Sequence, residues 1–465
     1  MAKNNKKKWL KPAMTPFRMG GINKFGGTGK AVWRSEIDGT PISELISAHG
    51  SPLFIFSEHV LQQNYNNCLR AFSSRYPRVQ LAWSYKTNYL GAICNVFHQQ
   101  GAMAEVVSRF EYEKARQLGV PGDCIIFNGP HKPREILQRA IEEKAYLHLD
   151  NLDELFLVEE LAHEMNCKVQ VGVRLNFDTG YTEPWSRFGF NIESGQALDA
   201  VWRIQSSKHL QLRGLHSHIG TFVLDTKAYS SQARQMCQFM LLAEEKTECR
   251  IEYLDFGGGF ASMNSLQGVY LPPDQMVPSM DQYAEAICEV VLEMTHEREA
   301  QGIPRPALII ESGRALVDDA GTLAATVVAN KRLPDGRRAL VMDAGVNLLF
   351  TAYWYNHNVT PIEPLEGKPE ETVIYGPLCM NIDVLRSQIM LPPVNIGDTL
   401  LFSPVGAYNN TQWQQFIEYR PSVVMICQDK TAHVIRAREN LDVVIQQELL
   451  PQHLVKPYPK HRPKF

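Results

Sequence analysis

The chain has 465 residues, 44% of them hydrophobic and 21% charged, with a formal net charge of −3. That balance suits a globular chain with one large and one smaller domain, and it lacks the basic excess of nucleic-acid binders. No apolar run approaches the ~18 residues of a membrane helix, and nine dispersed cysteines without a CxxC pair point to free thiols in a reducing cytoplasm.

The basic run from Lys3 to Lys8 has no apolar segment behind it, so it reads as a solvated tail and not a signal peptide. Residues 1–50 are turn-rich, with Ile37-Asp38-Gly39-Thr40 a candidate turn, and are expected to join a β domain. A helix over 57–73 leads into the first repeating pattern. Short β-rich runs then fall at 80–84, 103–107, 124–127, 146–149, 169–175, 212–217, 252–256 and 307–311. Amphipathic stretches separate them at 89–99, 110–118, 133–143, 151–165, 194–205, 226–244 and 281–299. Eight strand–helix units within one span predict a (β/α)8 TIM barrel over residues 51–320. A doubly wound open sheet is the second choice, since such sheets normally have fewer strands. After residue 320, runs at 322–329, 338–342, 372–374, 398–402, 422–427 and 432–436 lie between Gly, Pro and Asn/Asp turns. They predict a mostly β domain over 321–465.

A barrel of this kind carries its active site at the C-terminal ends of the strands. Those ends read Lys86, Glu105, Asn128, Asp150, Arg174, His216/His218, Gly257-Gly258-Gly259 and Glu311-Ser312-Gly313-Arg314. Lys86 follows the apolar run before Tyr85. It is either a strand-end lysine snorkelling to water or a buried amine whose depressed pKa makes it a nucleophile toward aldehydes. Three glycines directly after a strand let backbone N–H groups approach an anion, and Gly313 with Arg314 follows the adjacent strand, so a phosphate is expected between strands seven and eight. The His-x-His of His216 and His218 is a weak metal signal, because no third ligand has a clear position. A histidine stacking on a flat ring is favoured. Glu311 is suited to holding a heterocyclic nitrogen protonated. An imine-forming lysine, a phosphate cradle, a stacking histidine and that acid together describe pyridoxal 5′-phosphate. A phosphate-binding aldolase barrel without cofactor also accounts for Lys86 and the glycines, but not for the extra β domain.

On these residues the chain resembles the fold III pyridoxal-phosphate decarboxylases over about residues 35–435, and the diaminopimelate decarboxylase branch most. The motifs are Tyr85-Lys86-Thr87-Asn88, Ser186-Arg187-Phe188-Gly189-Phe190, Gly214-Leu215-His216-Ser217-His218-Ile219-Gly220, Leu254-Asp255-Phe256-Gly257-Gly258-Gly259-Phe260 and Glu311-Ser312-Gly313-Arg314. Gly376-Pro377-Leu378-Cys379, Asp383 and Gly406-Ala407-Tyr408 match in the second domain. The resemblance implies an alanine racemase-like barrel and these roles. Lys86 carries the cofactor as an imine, His218 stacks on its ring and Glu311 pairs with the ring nitrogen. Thr221, Gly258, Gly259, Gly313, Arg314 and Tyr408 surround the phosphate. Arg314, Tyr355, Asp383 and Tyr408 contact substrate. Cys379, from the partner subunit of a homodimer, donates the proton that replaces the lost carboxylate. No metal, nucleic acid or membrane partner is implied.

The chain departs from the diaminopimelate pattern at two recognition positions. Met380 stands where that branch has a glutamate for the distal amine, and Thr351 where it has an arginine for the distal carboxylate; Tyr355 is retained. Losing a bidentate carboxylate clamp disfavours a dicarboxylic substrate. Glu105 replaces the family's aspartate and Phe110 a glycine. The expected substrate is therefore D-ornithine or D-lysine, giving putrescine or cadaverine. Asn409-Asn410-Thr411-Gln412-Trp413 adds to the likeness to the D-ornithine/D-lysine decarboxylases. meso-Diaminopimelate, an L-diamino acid and a siderophore or carrier-bound amino acid are the alternatives. An amino-acid racemase and a pyridoxal-phosphate-binding non-enzyme are the alternatives from other classes.

Overall fold

The computed structural model describes residues 32–269 and 271–455. The basic run from Lys3 to Lys8 lies outside them. Apolar runs bounded by glycine and polar turns fold as eight parallel strands. These are β1 (Val79–Ser84), β2 (Met103–Val106), β3 (Ile125–Phe127), β4 (Tyr146–Leu149), β5 (Val169–Asn176), β6 (Leu210–Ser217), β7 (Tyr253–Phe256) and β8 (Ala307–Ser312). Each pairs with its sequence neighbour, and β8 pairs with β1 with Ile310 opposite Leu81, so the sheet closes into the expected barrel.

Helices cover the outside. Ser108, Asn151 and Asp225 cap three of them by accepting backbone N–H groups, and Ser279 with Gln282 forms a capping box. The helix expected over 281–299 is divided into Met280–Met294 and His296–Ala300. Thr295 sits at the break, where its hydroxyl donates to the Val291 carbonyl at 2.6 Å. Among the described residues no helix is long and apolar enough to cross a membrane, and none of the nine cysteines is bonded to another.

The second sheet orders Val384–Leu391, Glu370–Tyr375, Arg338–Met342, Gly321–Arg332, Leu53–Ser57, Val423–Ile426 and Ala432–Arg436. Thr399–Ser403 joins it through Gly321–Arg332 and carries Asn358–Pro361 at its other edge. Sequence reading missed three of these strands: Leu53–Ser57, Asn358–Pro361 and Val384–Leu391. Leu53–Ser57 is fully apolar until its last residue and is buried throughout, so it has no alternation to betray it. It lies inside the stretch assigned to the barrel, yet its hydrogen bonds belong to the β sheet. The Asp38–Gly39 turn forms as expected, with both residues at positive φ between Glu36–Ile37 and Thr40–Pro41.

The upper barrel interior is polar. Glu105, Asn128, His148, His216, Asp255 and Glu311 are all buried there. Buried polar groups on this scale require mutual hydrogen bonds, and that requirement shapes the site above them.

Candidate active site

A cavity of about 390 Å³ opens at the C-terminal end of the barrel. Its wall includes Lys86, His218, Thr221, Gly258, Gly259, Glu311, Gly313, Arg314 and Tyr408, nine expected site residues from both domains.

Lys86 follows β1 in a single turn of 3₁₀ helix, and its Nζ lies 2.6 Å from Glu105 Oε2. Burial alone lowers the pKa of this amine, as the sequence reading assumed. Glu105, then Glu311 and Tyr408, outweigh that and leave it above the ordinary lysine value. The neutral resting amine expected from burial is therefore replaced by an ammonium paired with a carboxylate. Glu105 also accepts from the Ser84 hydroxyl and, at 3.1 Å, from Asn128 Nδ2.

Glu311, at the end of β8, accepts from Asn128 Nδ2 at 2.5 Å, and His216 Nε2 is 3.5 Å away. Burial raises its pKa against Lys86, Asn128 and Arg174, which lower it. Asp255, on β7, is held well above the carboxylate range by burial and by the charges of Glu311 and Glu105. Of the two, Asp255 is the one pushed furthest toward its protonated form.

The glycines answer steric needs. A Cβ on Gly257 would stand 2.6 Å from His218 Cβ and 2.9 Å from His216 Nε2. Gly258 and Gly259 hold φ of +84° and +88°, a region side chains disfavour. A Cβ on Gly313 would meet Thr87 Oγ1 at 2.0 Å. Around this cradle the buried donors Thr87 Oγ1, Ser312 Oγ and Arg314 Nη1 have no hydrogen-bond partner among the described residues. Buried polar atoms without partners are rare, and convergent donors beside three glycines fit a bound phosphate. Tyr408 closes the cradle at φ +64°, strained for a non-glycine residue, with its N–H donating to the Thr87 carbonyl at 2.8 Å. The Arg314 guanidinium lies 4.8 Å from its ring centroid.

His218 follows β6 with its Nδ1 buried and unpartnered, and burial, Lys86 and Arg174 push its pKa well below the ordinary value. It is a neutral imidazole, suited to stacking against a flat ring. Trp185 meets it edge-on at 4.9 Å. Arg174, at 3.6 Å from Asp150, lies over Phe188 at 4.5 Å. Trp185, which completes the cavity wall with Phe188, went unrecognised in the sequence. The Ser186–Phe190 motif beside it was the available signal.

Three expected residues have other surroundings within this chain. Asp383 does not reach the cavity: its carboxylate accepts from Val346 N at 2.7 Å and Leu378 N at 2.8 Å, and it is buried. It ties the loop bearing Cys379 to the loop after Arg338–Met342. Tyr355 stands behind the wall, packed on Phe222 at 5.3 Å and on Arg314 at 5.1 Å. His216 does have further ligand-type neighbours, since His148, His216 and Glu311 bring such atoms within 4.8 Å of one another. Both His148 nitrogens are already hydrogen-bonded, however, to Asn128 and Tyr253.

Cys379 is exposed and outside the cavity of its own chain. Thr351 faces inward, its hydroxyl 2.9 Å from both His357 Nε2 and Asn409 Oδ1. Met380 packs against the core. Phe110 lies on the outside, edge-on to Tyr89 at 5.1 Å.

A family model described as "Pyridoxal-dependent decarboxylase, pyridoxal binding domain" matches residues 62–318. The chain is 30% identical to the diaminopimelate decarboxylase of Methanocaldococcus jannaschii over 90% of its own length and 96% of that protein's. It is 28% identical to the Bacillus subtilis diaminopimelate decarboxylase over 89% and 95%. The crystal structure of the M. jannaschii enzyme in complex with L-lysine superposes with a TM-score of 0.82 at 28% identity, covering 92% of this chain and 98% of that one.

Proposed function

The chain belongs to the pyridoxal-dependent decarboxylases, an enzyme family whose cofactor is pyridoxal phosphate, and we propose that it removes the α-carboxylate of a diamino acid. The observation that carries this reading is the cavity, which has a lysine at one wall, a buried carboxylate at another and unpartnered donors around a glycine cradle. Bound pyridoxal phosphate supplies an electron sink for the pair released when the carboxylate leaves. The protein supplies the rest. Lys86 would anchor the cofactor, and Glu105, 2.6 Å from its Nζ, is placed to take the proton the amine must shed. Glu311 keeps the ring nitrogen protonated. Gly258, Gly259, Gly313, Thr87, Ser312 and Arg314 hold the phosphate, and Tyr408 and Thr221 border it. Neutral His218, backed by Trp185, covers the ring and excludes water. Cys379 of the partner subunit protonates the product carbon, which makes the cytoplasmic homodimer the active species. The exposure of Cys379 and its distance from the cavity of its own chain support that assignment.

The relatives' names support diaminopimelate as the substrate. D-Ornithine or D-lysine has no such support and rests on Thr351 and Met380. That second reading is retained because the Thr351 hydroxyl is engaged by His357 and Asn409, which leaves no cation at that position for a distal carboxylate. CO2 release from meso-diaminopimelate and from both enantiomers of ornithine and lysine separates the two. Release from meso-diaminopimelate above the others supports the first. Release from the D-diamino acids alone selects the second. Release from none overturns both substrate readings.

A further inference from the structure

Beneath the cavity, a line of buried side chains crosses the barrel from β7 to β8. Tyr253 OH lies 3.0 Å from His148 Nε2, and His148 Nδ1 lies 2.7 Å from Asn128 Oδ1. Asn128 Nδ2 donates to Glu311 Oε1 at 2.5 Å and to Glu105 Oε1 at 3.1 Å. The direction of every bond follows from its end. Two carboxylate oxygens flank one side of the Asn128 amide, so that side must be the NH2 group, since a carbonyl there would oppose both acceptors. Asn128 Oδ1 then faces His148 and needs a donor, which fixes the proton on Nδ1. Nε2 is left bare and accepts from the Tyr253 hydroxyl.

We propose that Tyr253 and His148 form a one-directional hydrogen-bond relay that locks the Asn128 amide with both N–H groups aimed at Glu311 and Glu105. Neither residue lines the cavity, so both are positioning residues. The inference rests on the reading of Glu311 as the partner of the cofactor's ring nitrogen, for which the carboxylate must stay ionised although buried. Charge-assisted donation from Asn128 favours that form. Asp255, with no hydrogen-bond donor among the described residues, is the acid that burial pushes furthest toward its protonated form.

The backbone gives independent support. Gly172 on β5 and Gly214 on β6 occupy strand interiors, where glycine weakens a sheet. A Cβ on Gly172 would stand 2.4 Å from His148 Cδ2 and 2.8 Å from Tyr253 Oη, and one on Gly214 would fall 2.0 Å from Tyr253 Cζ. Two barrel strands therefore give up side chains to admit the two relay rings. His148 is also packed face to face with His216 at 5.0 Å. Burial, His216, Lys132 and Arg174 hold its pKa well below the ordinary histidine value, so it carries a single ring proton. Asp255 Oδ2, at 3.9 Å from Nδ1, is beyond hydrogen-bond distance.

The test is the ring-nitrogen spectrum of full-length holoenzyme labelled with ¹⁵N-histidine, with His148 assigned by its disappearance in His148→Gln. One-bond proton coupling at Nδ1 alone is expected. Coupling at Nε2 alone, or at both nitrogens, overturns the relay, whatever the role of Glu311. Kinetics give the second arm. His148→Leu, which removes the donor to Asn128, should lower kcat about tenfold with KM little changed, and His148→Gln, which restores an N–H donor, should recover most of it. Wild-type kcat in His148→Leu overturns the proposal. If His148→Leu fails to fold, the wild-type ring-nitrogen spectrum decides alone: a proton on Nε2 overturns the relay.

Discussion

The barrel mouth and the loop carrying Cys379 are built on opposite terms. At the mouth, side chains from most of the strand ends converge on one cavity, and below it Glu105, Asn128, His148 and Glu311 are joined by hydrogen bonds. In the Gly376–Asp383 segment the buried carboxylate of Asp383 holds backbone, and Cys379 is exposed and outside the lining of that cavity. The contrast is that one chain's cavity carries the lysine, the glycine cradle and the unpartnered donors, while the thiol proposed to finish the reaction lies outside it. Cofactor binding and turnover should therefore respond differently to change, and to subunit association.

The largest effect should come from Lys86→Ala. Imine absorbance should vanish and CO2 release fall by at least about 10³-fold; retained turnover would show that the cavity lysine is not the anchor. Next, Cys379→Ala should keep the cofactor spectrum while lowering turnover about 10²-fold, the scale of a lost general acid. Mixing these two inactive variants, with exchange of subunits, should restore activity, because one hybrid site then has both groups. Failure of the mixture to recover would break the contrast between the regions. Gly313→Ala should act on binding and not on chemistry. Its Cβ would sit 2.0 Å from Thr87 Oγ1, an overpacking cost of about 1–3 kcal/mol that equilibrium dialysis of pyridoxal phosphate reads as weaker affinity.

The smallest effect concerns pH. Because the folded pKa of Lys86 lies above its unfolded value, the ion pair with Glu105 contributes stability fully below the unfolded lysine pKa, and loses it only as pH rises through the higher folded one. Wild type should therefore show no loss from this pair between pH 6 and 9. Glu105→Gln removes the strongest raising group and leaves burial to lower the pKa. At pH 8 the variant's Lys86 should react faster than wild type with an amine-directed aldehyde probe, followed by mass spectrometry. An unchanged rate would show that Glu105 does not set the charge of the amine.

Much of the mouth was legible because a barrel translates sequence directly into position. The strand-to-strand repeat puts each strand's last residue on one rim, so Lys86, Glu311 and the Gly257–Gly259 run were found by locating strand ends. Leu53–Ser57 was not legible, because a strand buried on both faces has no period-two signal. Its partners, Gly321–Arg332 and Val423–Ile426, lie hundreds of residues away. The role of Asp383 was missed for a related reason: a carboxylate within a loop reads alike whether it meets a ligand or the loop's own N–H groups.

The sequence by itself determined the alternation of eight strands and helices, the β-rich second domain, the polar residue ending each strand and the family motifs. These depend on local periodicity and on residue chemistry, which survive without coordinates. Only the tertiary structure decided that Glu105 pairs with the Lys86 amine and raises its pKa, that Asp255 is pushed furthest toward its protonated form, and that His148 and Tyr253 line up behind the Asn128 amide. Those are outcomes of competition among buried charges a few ångströms apart. Low-dielectric electrostatics depends on which groups face one another, and that is set by closing the barrel, not by neighbours along the chain.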